Sequence, residues 1–199
     1  MVPAQTAITR QDSPVILASA SPRRRDLLAL FEQPFVVVPA DIDEARLDDE
    51  AATDYVLRIA LEKAMAVATI HPGDVVLGSD TAVVLDGQPL GKPQDTDEAR
   101  SMLRQLSGRC HDVLSAVALV CPDGRRLQRL STTEVEFSML PERWIDAYVA
   151  SGDPMDKAGA YGIQNQAGIW IRRISGSYTG VVGLPLHETG ELLREAGLV

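Results

Sequence analysis

Leu17-Ala18-Ser19-Ala20-Ser21-Pro22-Arg23-Arg24-Arg25 is the stretch of this sequence that says most about its fold. It begins within the apolar residues 15–18, which predict a short strand, and it leads into the amphipathic run 26–31. Ser21 can accept a hydrogen bond as an N-cap, and Pro22 suits the first helical position because its missing N–H would be unpaired there anyway. The pattern therefore predicts a strand end that passes directly into a helix N-terminus.

A helix N-terminus of this kind is suited to bind phosphate. Its free backbone N–H groups and the helix dipole favour an anion. The hydroxyls of Ser19 and Ser21 can donate hydrogen bonds, and Arg23 and Arg24 offer fork-shaped donors that match phosphate oxygens. Basic residues are unfavourable at this end of a helix unless an anion compensates them. An ordinary capped helix with a solvated basic turn is the alternative, and the local pattern does not decide between the two.

The composition narrows the class of protein. The chain has 199 residues, 45% of them hydrophobic, which is enough for one substantial core or two small lobes. Its net charge of −9 argues against non-specific binding to nucleic acid or to an anionic membrane. Cys110 and Cys121 lack metal-ligand spacing and a disulfide framework, so we expect both to be buried and inert in a reducing cytosol. With no signal-peptide pattern and no long apolar segment, a soluble cytoplasmic protein is expected.

The order of the predicted elements favours an α/β fold. Strands are predicted at 35–38, 75–78, 82–85, 111–120, 127–137 and 169–174, and helices at 53–70, 95–107, 141–150 and 186–196. Asp86-Gly87 and Asp123-Gly124 predict hairpin turns. Because no repeat or flexible linker interrupts the pattern, we expect residues 1–199 to form one unit with a cleft between two lobes.

A carboxylate and a hydroxyl follow directly on the predicted strand 75–78. We expect Gly78-Ser79-Asp80-Thr81 to lie where a strand end meets a polar loop, which is where ligands collect in α/β folds. A carboxylate there can hold a divalent cation or take a proton from water, whereas Asp is disfavoured in a strand interior. The alternative is that Asp80 serves only as a turn or cap residue, which is the commoner role for such an aspartate taken alone.

Lys63 is a second candidate because of its place on the predicted helix 53–70. It lies seven residues after Val56 and therefore on the apolar stripe of that helix. Its ammonium group either extends past the edge of the core into solvent or reaches a phosphate or the carboxylate of Asp80.

Three polar residues of predicted loops complete the set of candidates. Lys92 precedes a proline and is expected in an extended loop, as a solvated lysine or as part of the site. Glu44 belongs to an acidic loop and is either a metal ligand or an ordinary solvated carboxylate. Gln164 follows Tyr161 in the glycine-containing segment 156–164, where an amide could bond the edge of a base. The three histidines share no metal-ligand spacing, so zinc is not expected.

Taken together, these motifs resemble the Maf family of nucleoside triphosphate pyrophosphatases. The resemblance implies a mixed, twisted sheet with flanking helices and two lobes around a deep cleft, as in the inosine triphosphate pyrophosphatases, and often a homodimer. It also implies hydrolysis of a nucleoside triphosphate to the monophosphate and pyrophosphate with a divalent cation, Mg²⁺ or Mn²⁺. The matching segments are 17–24, 59–63, 78–81, 91–93, 106–108, 157–164 and 175–186.

The resemblance also implies roles for individual residues. Asp80 matches the proton acceptor of the family, and we expect it to hold the metal together with Glu44. The Tyr-Gly-Ile-Gln motif that ends at Gln164 matches the branch that hydrolyses dTTP and UTP. Two features depart from the family pattern: Asn165 stands where a glycine is common, and residues 1–13 are expected to be an extension before the first strand. Asn tolerates a left-handed backbone, so we expect the loop to keep its structure. The expected substrate-binding residues are Ser19, Ser21, Arg23, Arg24, Lys63, Thr81, Lys92 and Gln164.

Two other functions remain open at this point. The chain could be a non-catalytic regulator of septum formation that binds a nucleotide or a partner protein. It could also be a pyrophosphatase for modified nucleotides, such as 7-methyl-GTP. Asp80 separates an enzyme from a regulator, because a pure binding module has no need of a carboxylate that repels the phosphates.

Overall fold

The computed structural model describes residues 14–199, and a seven-stranded mixed sheet lies at its centre. The strand order is β2-β1-β3-β5-β6-β7, with β4 paired to β3. β1 is parallel to β2 and β3, and the other pairs are antiparallel. This confirms the predicted α/β class, while the predicted extension 1–13 lies outside the described residues. The strands are β1 Val15–Leu17, β2 Phe35–Val37, β3 Val75–Leu85, β4 Gln88–Leu90, β5 Cys110–Val120, β6 Arg126–Phe137 and β7 Ile171–Ser175.

Helices flank the sheet on both faces. The predicted start of α1 is confirmed, because Ser21 caps the helix by accepting from the backbone N–H of Arg24 and Pro22 is its first residue. Tyr178–Val182 forms a short helix that the sequence pattern did not predict. No helix within residues 14–199 has the length and apolar character needed to cross a membrane. The helices are α1 Pro22–Leu28, α2 Ala52–Ile70, α3 Thr96–Leu106, α4 Glu142–Ala150, α5 Tyr178–Val182 and α6 Leu186–Ala196, and short 3₁₀ turns lie at Ala29–Phe31, Asp153–Asp156, Ala158–Ala160 and Gln166–Trp170.

Within residues 14–199, the apolar core consists of three clusters, one on the α2 face of the sheet and two on the opposite face. Because side chains alternate along a strand, β3 points Val76 and Val84 into the cluster under α2, and Leu77 and Val83 to the opposite face. On that opposite face, Leu77 belongs to the cluster beneath α6, and Val83 to the cluster beneath α3 and α4. A stripe of buried or half-buried hydroxyls lies between these two clusters: Ser79 and Thr81 of β3 and Ser115 of β5.

The strand prediction around Asp80 is wrong in one respect. The predicted strands 75–78 and 82–85 are one continuous strand, and Gly78-Ser79-Asp80-Thr81 lies in its interior instead of a loop at its end. The reason is the long antiparallel pairing with β5, which runs from Val76 opposite Val120 to Val84 opposite Asp112. Pairing and burial of this extent override the weak strand preference of glycine and aspartate.

A gap in the sheet still brings Asp80 to the surface of a cleft. β1 ends at Leu17 and pairs with β3 only as far as Leu77, whereas β4 pairs with β3 from Val83 onward. Within the described part of the chain, no strand covers this edge of β3 between residues 78 and 82. Side chains from both faces of β3 therefore border the same opening, which lies beyond the carboxyl end of β1.

Two smaller expectations also need correction. Cys121 is buried as expected, but Cys110 is exposed because it is the first residue of β5, at the end of the sheet. The last strand begins at Ile171, since Gln166–Trp170 forms a 3₁₀ turn instead of extended chain.

Gly78 allows α2 to lie directly against β3. A Cβ atom at this position would meet the carbonyl oxygen of Ala60 at 2.1 Å and the backbone nitrogen of Ala64 at 2.9 Å. Both atoms belong to the backbone of α2, so neither can rotate out of the way. The missing side chain thus sets the distance between the helix that carries Lys63 and the strand that carries Asp80.

We predict that Gly78→Ala destabilises the fold. Overpacking of this kind costs about 1–3 kcal/mol, and here the α2 backbone must move to admit the methyl group. The matched control is Gly73→Ala, because no atom lies within 4 Å of a Cβ built at Gly73. Urea unfolding of the two variants measures the difference, and equal midpoints would contradict the proposed contact.

Candidate active site

The cleft beside β3 has a volume of about 1070 Å³ and brings all the predicted site residues together. Its walls come from the β1–α1 junction, α2, β3, the loop before α3 and the segments 156–165 and 181–183. The predicted residues that line it are Ser19, Ser21, Arg23, Arg24, Glu44, Lys63, Asp80, Thr81, Lys92 and Gln164.

Lys63 joins two carboxylates at the floor of the cleft. Its Nζ lies 2.9 Å from Oδ1 of Asp80 and 2.9 Å from Oε2 of Glu44. The side chains of Lys63 and Asp80 are each only 9% exposed, whereas that of Glu44 is half exposed. The Lys63 ammonium therefore does not extend past the core into solvent but reaches the carboxylate of Asp80, as one of the two expectations had it. A buried charge is tolerated where it is paired and hydrogen-bonded in this way.

The acidic loop that carries Glu44 is held in place by α2. The Tyr55 hydroxyl donates to the Glu44 backbone carbonyl at 3.1 Å, and Arg58 donates to the Ala45 carbonyl at 3.1 Å. Arg58 also forms a bidentate ion pair with the carboxylate of Glu50. Burial, reinforced by the negative charges of Asp80 and Glu44, raises the pKa of Tyr55 to about 12, so its hydroxyl remains a donor at neutral pH.

The sequence analysis missed Tyr55 and Arg58. The sequence feature that could have pointed to them is their spacing of three residues, which places both side chains on one face of the predicted helix. In the structure that face is turned toward the acidic loop. That spacing is common in surface helices, so it could not by itself point to the cleft.

Glu44 and Asp80 are the predicted metal ligands. Within residues 14–199, no group of three or more His, Cys, Asp or Glu side chains is arranged to hold a metal ion. Mg²⁺, however, is usually bound through one or two carboxylates together with substrate phosphates and water. Glu44 and Asp80 already converge on one cation, the Lys63 ammonium. This donor set fits a divalent ion whose remaining ligands come from a bound polyphosphate.

Arg24 is fixed against the opposite wall of the cleft. Its Nε donates to the Gly183 carbonyl at 2.9 Å, and its two terminal nitrogens lie 3.4 Å from the hydroxyl oxygens of Ser19 and Thr81. Burial lowers the pKa of the Arg24 guanidinium from its ordinary value, and the charges of Asp80 and Glu44 oppose that shift. Arginine remains protonated in proteins, so the cleft keeps a positive charge here.

The hydroxyl of Ser19 is free to donate into the cleft. Its oxygen accepts from the backbone N–H of Ser21 at 3.2 Å and from Arg24 at 3.4 Å. Because both groups can only donate, the Ser19 proton must point elsewhere. This arrangement suits an anion above the start of α1.

Arg23 and Lys92 lie nearer to the mouth of the cleft. Arg23 is about 3.8 Å from the exposed carboxylate of Asp156, a separation that gives only a weak ion pair. Lys92 is exposed in the loop that follows β4. Both side chains are therefore close enough to solvent to reorient toward a ligand.

Gln164 is exposed on a loop that a partly buried polar cluster around Asp153 holds in place. The carboxylate of Asp153 accepts from Tyr148 Oη at 2.7 Å, from Asn165 Nδ2 at 2.6 Å and from Lys157 Nζ at 3.2 Å. The tolerance of Asn165 for a left-handed backbone is not needed, since its φ is −105°, and its side chain ties the loop to Asp153. Sequence analysis missed this cluster because its members come from α4 and from separate turns.

Comparisons with known proteins identify the family of this chain. The sequence matches the family described as Maf-like protein over residues 14–196. A protein of Anaeromyxobacter dehalogenans (strain 2CP-1) named dTTP/UTP pyrophosphatase is 52% identical over 92% of this chain and 94% of its own length. A protein of Pectobacterium atrosepticum with the same name is 54% identical over 88% of this chain and 89% of its own. A solved HAM1 protein from Coxiella burnetii covers 92% of this chain and 99% of its own with a TM-score of 0.54 and 19% identity, a likeness of fold alone.

We predict unequal effects when the two partners of the buried ion pair are replaced. Lys63→Met leaves Asp80 buried without its cation, and breaking a buried pair in this way costs about 3–5 kcal/mol. Asp80→Asn costs less, because Lys63 keeps its bond to Glu44. Urea unfolding at pH 7 gives both values.

The double variant Lys63→Met/Asp80→Asn completes the comparison. It is expected to be more stable than Lys63→Met alone, because it no longer buries an unpaired charge. Glu44→Gln serves as a control at the half-exposed end of the same network, where an ion pair contributes about 0–1 kcal/mol. An Asp80→Asn variant that is as unstable as Lys63→Met would contradict this account.

Proposed function

This chain belongs to the family of Maf-like proteins, and we propose that it is a nucleoside triphosphate pyrophosphatase that hydrolyses dTTP and UTP to the monophosphate and pyrophosphate. The observation that carries the proposal is the buried Asp80 carboxylate, held by Lys63 inside a cleft that is otherwise lined by arginine, lysine and hydroxyl groups. The names of its relatives at about 50% identity support this choice of substrates.

The phosphates would bind at the start of α1. Its free N–H groups and the hydroxyls of Ser19 and Ser21 offer donors, and Arg23 and Arg24 add positive charge. Lys92 reaches the same opening from the loop after β4. Several cations are needed because charge develops on the phosphate oxygens as the bond breaks.

Asp80 would activate the water that attacks the α-phosphorus. The water oxygen forms a bond to this phosphorus, its proton passes to the Asp80 carboxylate, and the bond to the bridging oxygen breaks to release pyrophosphate. Lys63 fixes the orientation of this carboxylate through Oδ1, which leaves Oδ2 to meet the water. Glu44 pairs with Lys63 as well and adds a second carboxylate to the floor of the cleft.

A divalent cation, Mg²⁺ or Mn²⁺, would be held by Asp80 and Glu44. When bound, it supplies positive charge that screens the triphosphate and favours ionisation of water. The half-exposed Glu44 side chain can move to admit it, whereas the buried Asp80 cannot move far.

A cytoplasmic location and a homodimer belong to the same proposal. Cys110 and Cys121 are not joined in a disulfide, which fits a reducing compartment, and the proposed substrates are intracellular metabolites. Size-exclusion chromatography with light scattering would test the dimer.

We predict that Asp80→Asn loses most of the turnover while the fold is retained. Removal of a general base lowers the rate by about 10²–10⁴-fold. The measurement is phosphate release in the presence of added inorganic pyrophosphatase, over a panel of canonical and modified triphosphates that includes 7-methyl-GTP. The matched control is Asp86→Asn, since Asp86 follows the end of the same strand and pairs with Arg109 at the surface.

The same assay separates the remaining alternatives. Wild-type turnover of dTTP and UTP with an inactive Asp80→Asn variant supports the proposal. Preferred turnover of 7-methyl-GTP would favour the enzyme with another substrate. Absence of turnover on every triphosphate would favour a nucleotide-binding regulator.

We predict that Gln164→Ala reduces the preference among bases more than the binding of the triphosphate. Gln164 is exposed at the cleft, far along the chain from the arginines of α1, and its amide can bond both to donors and to acceptors on a base. Values of kcat/KM for UTP, CTP, ATP and GTP give the preference. An equal loss for all four would count against a base-reading role.

A further inference from the structure

A chain of three hydrogen bonds crosses the hydroxyl stripe behind the cleft. Arg24 donates to the Thr81 hydroxyl oxygen at 3.4 Å, and that oxygen lies 3.0 Å from the hydroxyl of Ser115. Ser115 in turn donates to the Gly180 carbonyl at 2.6 Å. Ser115 is 1% exposed and lies on β5 directly opposite Thr81 of β3, whereas Thr81 lines the cleft.

The two ends of this chain fix the direction of every proton in it. A carbonyl oxygen can only accept, so the single proton of Ser115 points to Gly180. A guanidinium can only donate, so Arg24 directs its proton at Thr81. The remaining contact must then use the proton of Thr81, which donates to Ser115.

From this geometry we infer that Ser115 is a positioning residue that fixes the Thr81 hydroxyl as a hydrogen-bond acceptor toward the cleft. The Thr81 oxygen has two lone pairs, and Arg24 occupies one of them. The other can take only a donor from the substrate. This inference rests on the proposed function, and it adds a residue behind the cleft that touches no substrate.

An acceptor at this point selects a particular part of a nucleotide. Ionised phosphate oxygens only accept hydrogen bonds, so the partner of Thr81 is a donor of the nucleoside. Uracil and thymine carry such a donor at N3–H, whereas N3 of cytosine is an acceptor. A sugar hydroxyl is the second source of the same chemistry.

Ser115→Ala tests the inference because it removes the group that receives the Thr81 proton. The Thr81 hydroxyl can then rotate and donate into the cleft. If the donor is N3–H, the ratio of kcat/KM for UTP over CTP falls by about five- to ten-fold, the effect of one hydrogen bond. If the donor is a sugar hydroxyl, the UTP over CTP ratio is unchanged. The ratio of kcat/KM for dTTP over 3′-deoxythymidine triphosphate then falls instead. Two unchanged ratios would overturn the inference.

A double variant distinguishes positioning from a general loss of structure. Thr81→Val removes the hydroxyl and is expected to lower the same ratio, and adding Ser115→Ala to it should change the ratio no further. A further fall in the double variant would contradict a role through Thr81. If Ser115→Ala alone does not fold, Thr81→Val still tests whether the Thr81 hydroxyl affects either of the two substrate ratios. If neither ratio changes in Thr81→Val, the inference is overturned.

Thr133→Val is the matched control. The Thr133 hydroxyl is also buried and also bonds the segment before α5, since it donates to the Ser177 carbonyl at 3.3 Å and accepts from its N–H at 2.9 Å, but no bond joins it to Thr81. This variant should change stability and leave both ratios unchanged. Turnover of UTP by the wild-type protein tests the proposed function separately, so a failure of that proposal would be visible before any ratio is compared.

Discussion

The bond between the Lys63 ammonium and the Asp80 carboxylate is the interaction on which the cleft depends. Burying a carboxylate in the middle of a seven-stranded sheet is costly unless a cation pairs with it, and Lys63 provides that cation from α2 at 2.9 Å. The distance in turn requires close packing of helix on strand, which only glycine at position 78 permits. The packing of α2 on β3 and the pairing of the two buried side chains therefore depend on the same contact.

The gap in the sheet explains how a buried residue can act on a ligand. β1 stops at Leu17 and α1 starts five residues later, so the edge of β3 beside Asp80 faces the N-terminus of α1 instead of another strand. A phosphate at that N-terminus would lie across the opening from the carboxylate. The acidic loop, held by Tyr55 and Arg58, closes a third side. The carboxylate, the start of α1 and the acidic loop thus meet at one opening because β1 is short.

Local signals allowed part of this arrangement to be predicted. Ser21 and Pro22 marked the start of α1 because capping depends on adjacent residues, and the apolar spacing of α2 placed Lys63 on its inner face. Asp80 was misplaced at a strand end because the partner that keeps its segment extended, β5, lies about thirty residues further along the chain. The bonds of Arg24 to Gly183 and of Ser115 to Gly180 span 159 and 65 residues, and no local pattern encodes them.

The two faces of β3 carry two different kinds of interaction: an ion pair on the face toward α2, and a chain of hydroxyl hydrogen bonds on the opposite face. Asp80, on the face toward α2, works through full charges and is held by an ion pair. Thr81, the next residue, points to the other face and works through the direction of one proton in a chain of neutral hydroxyls. Attraction between charges varies little with angle, whereas a hydroxyl must point the correct way to be an acceptor. The charged face would therefore accept different triphosphates, whereas Thr81, whose direction is fixed by buried hydrogen bonds, would add to the base preference proposed for Gln164.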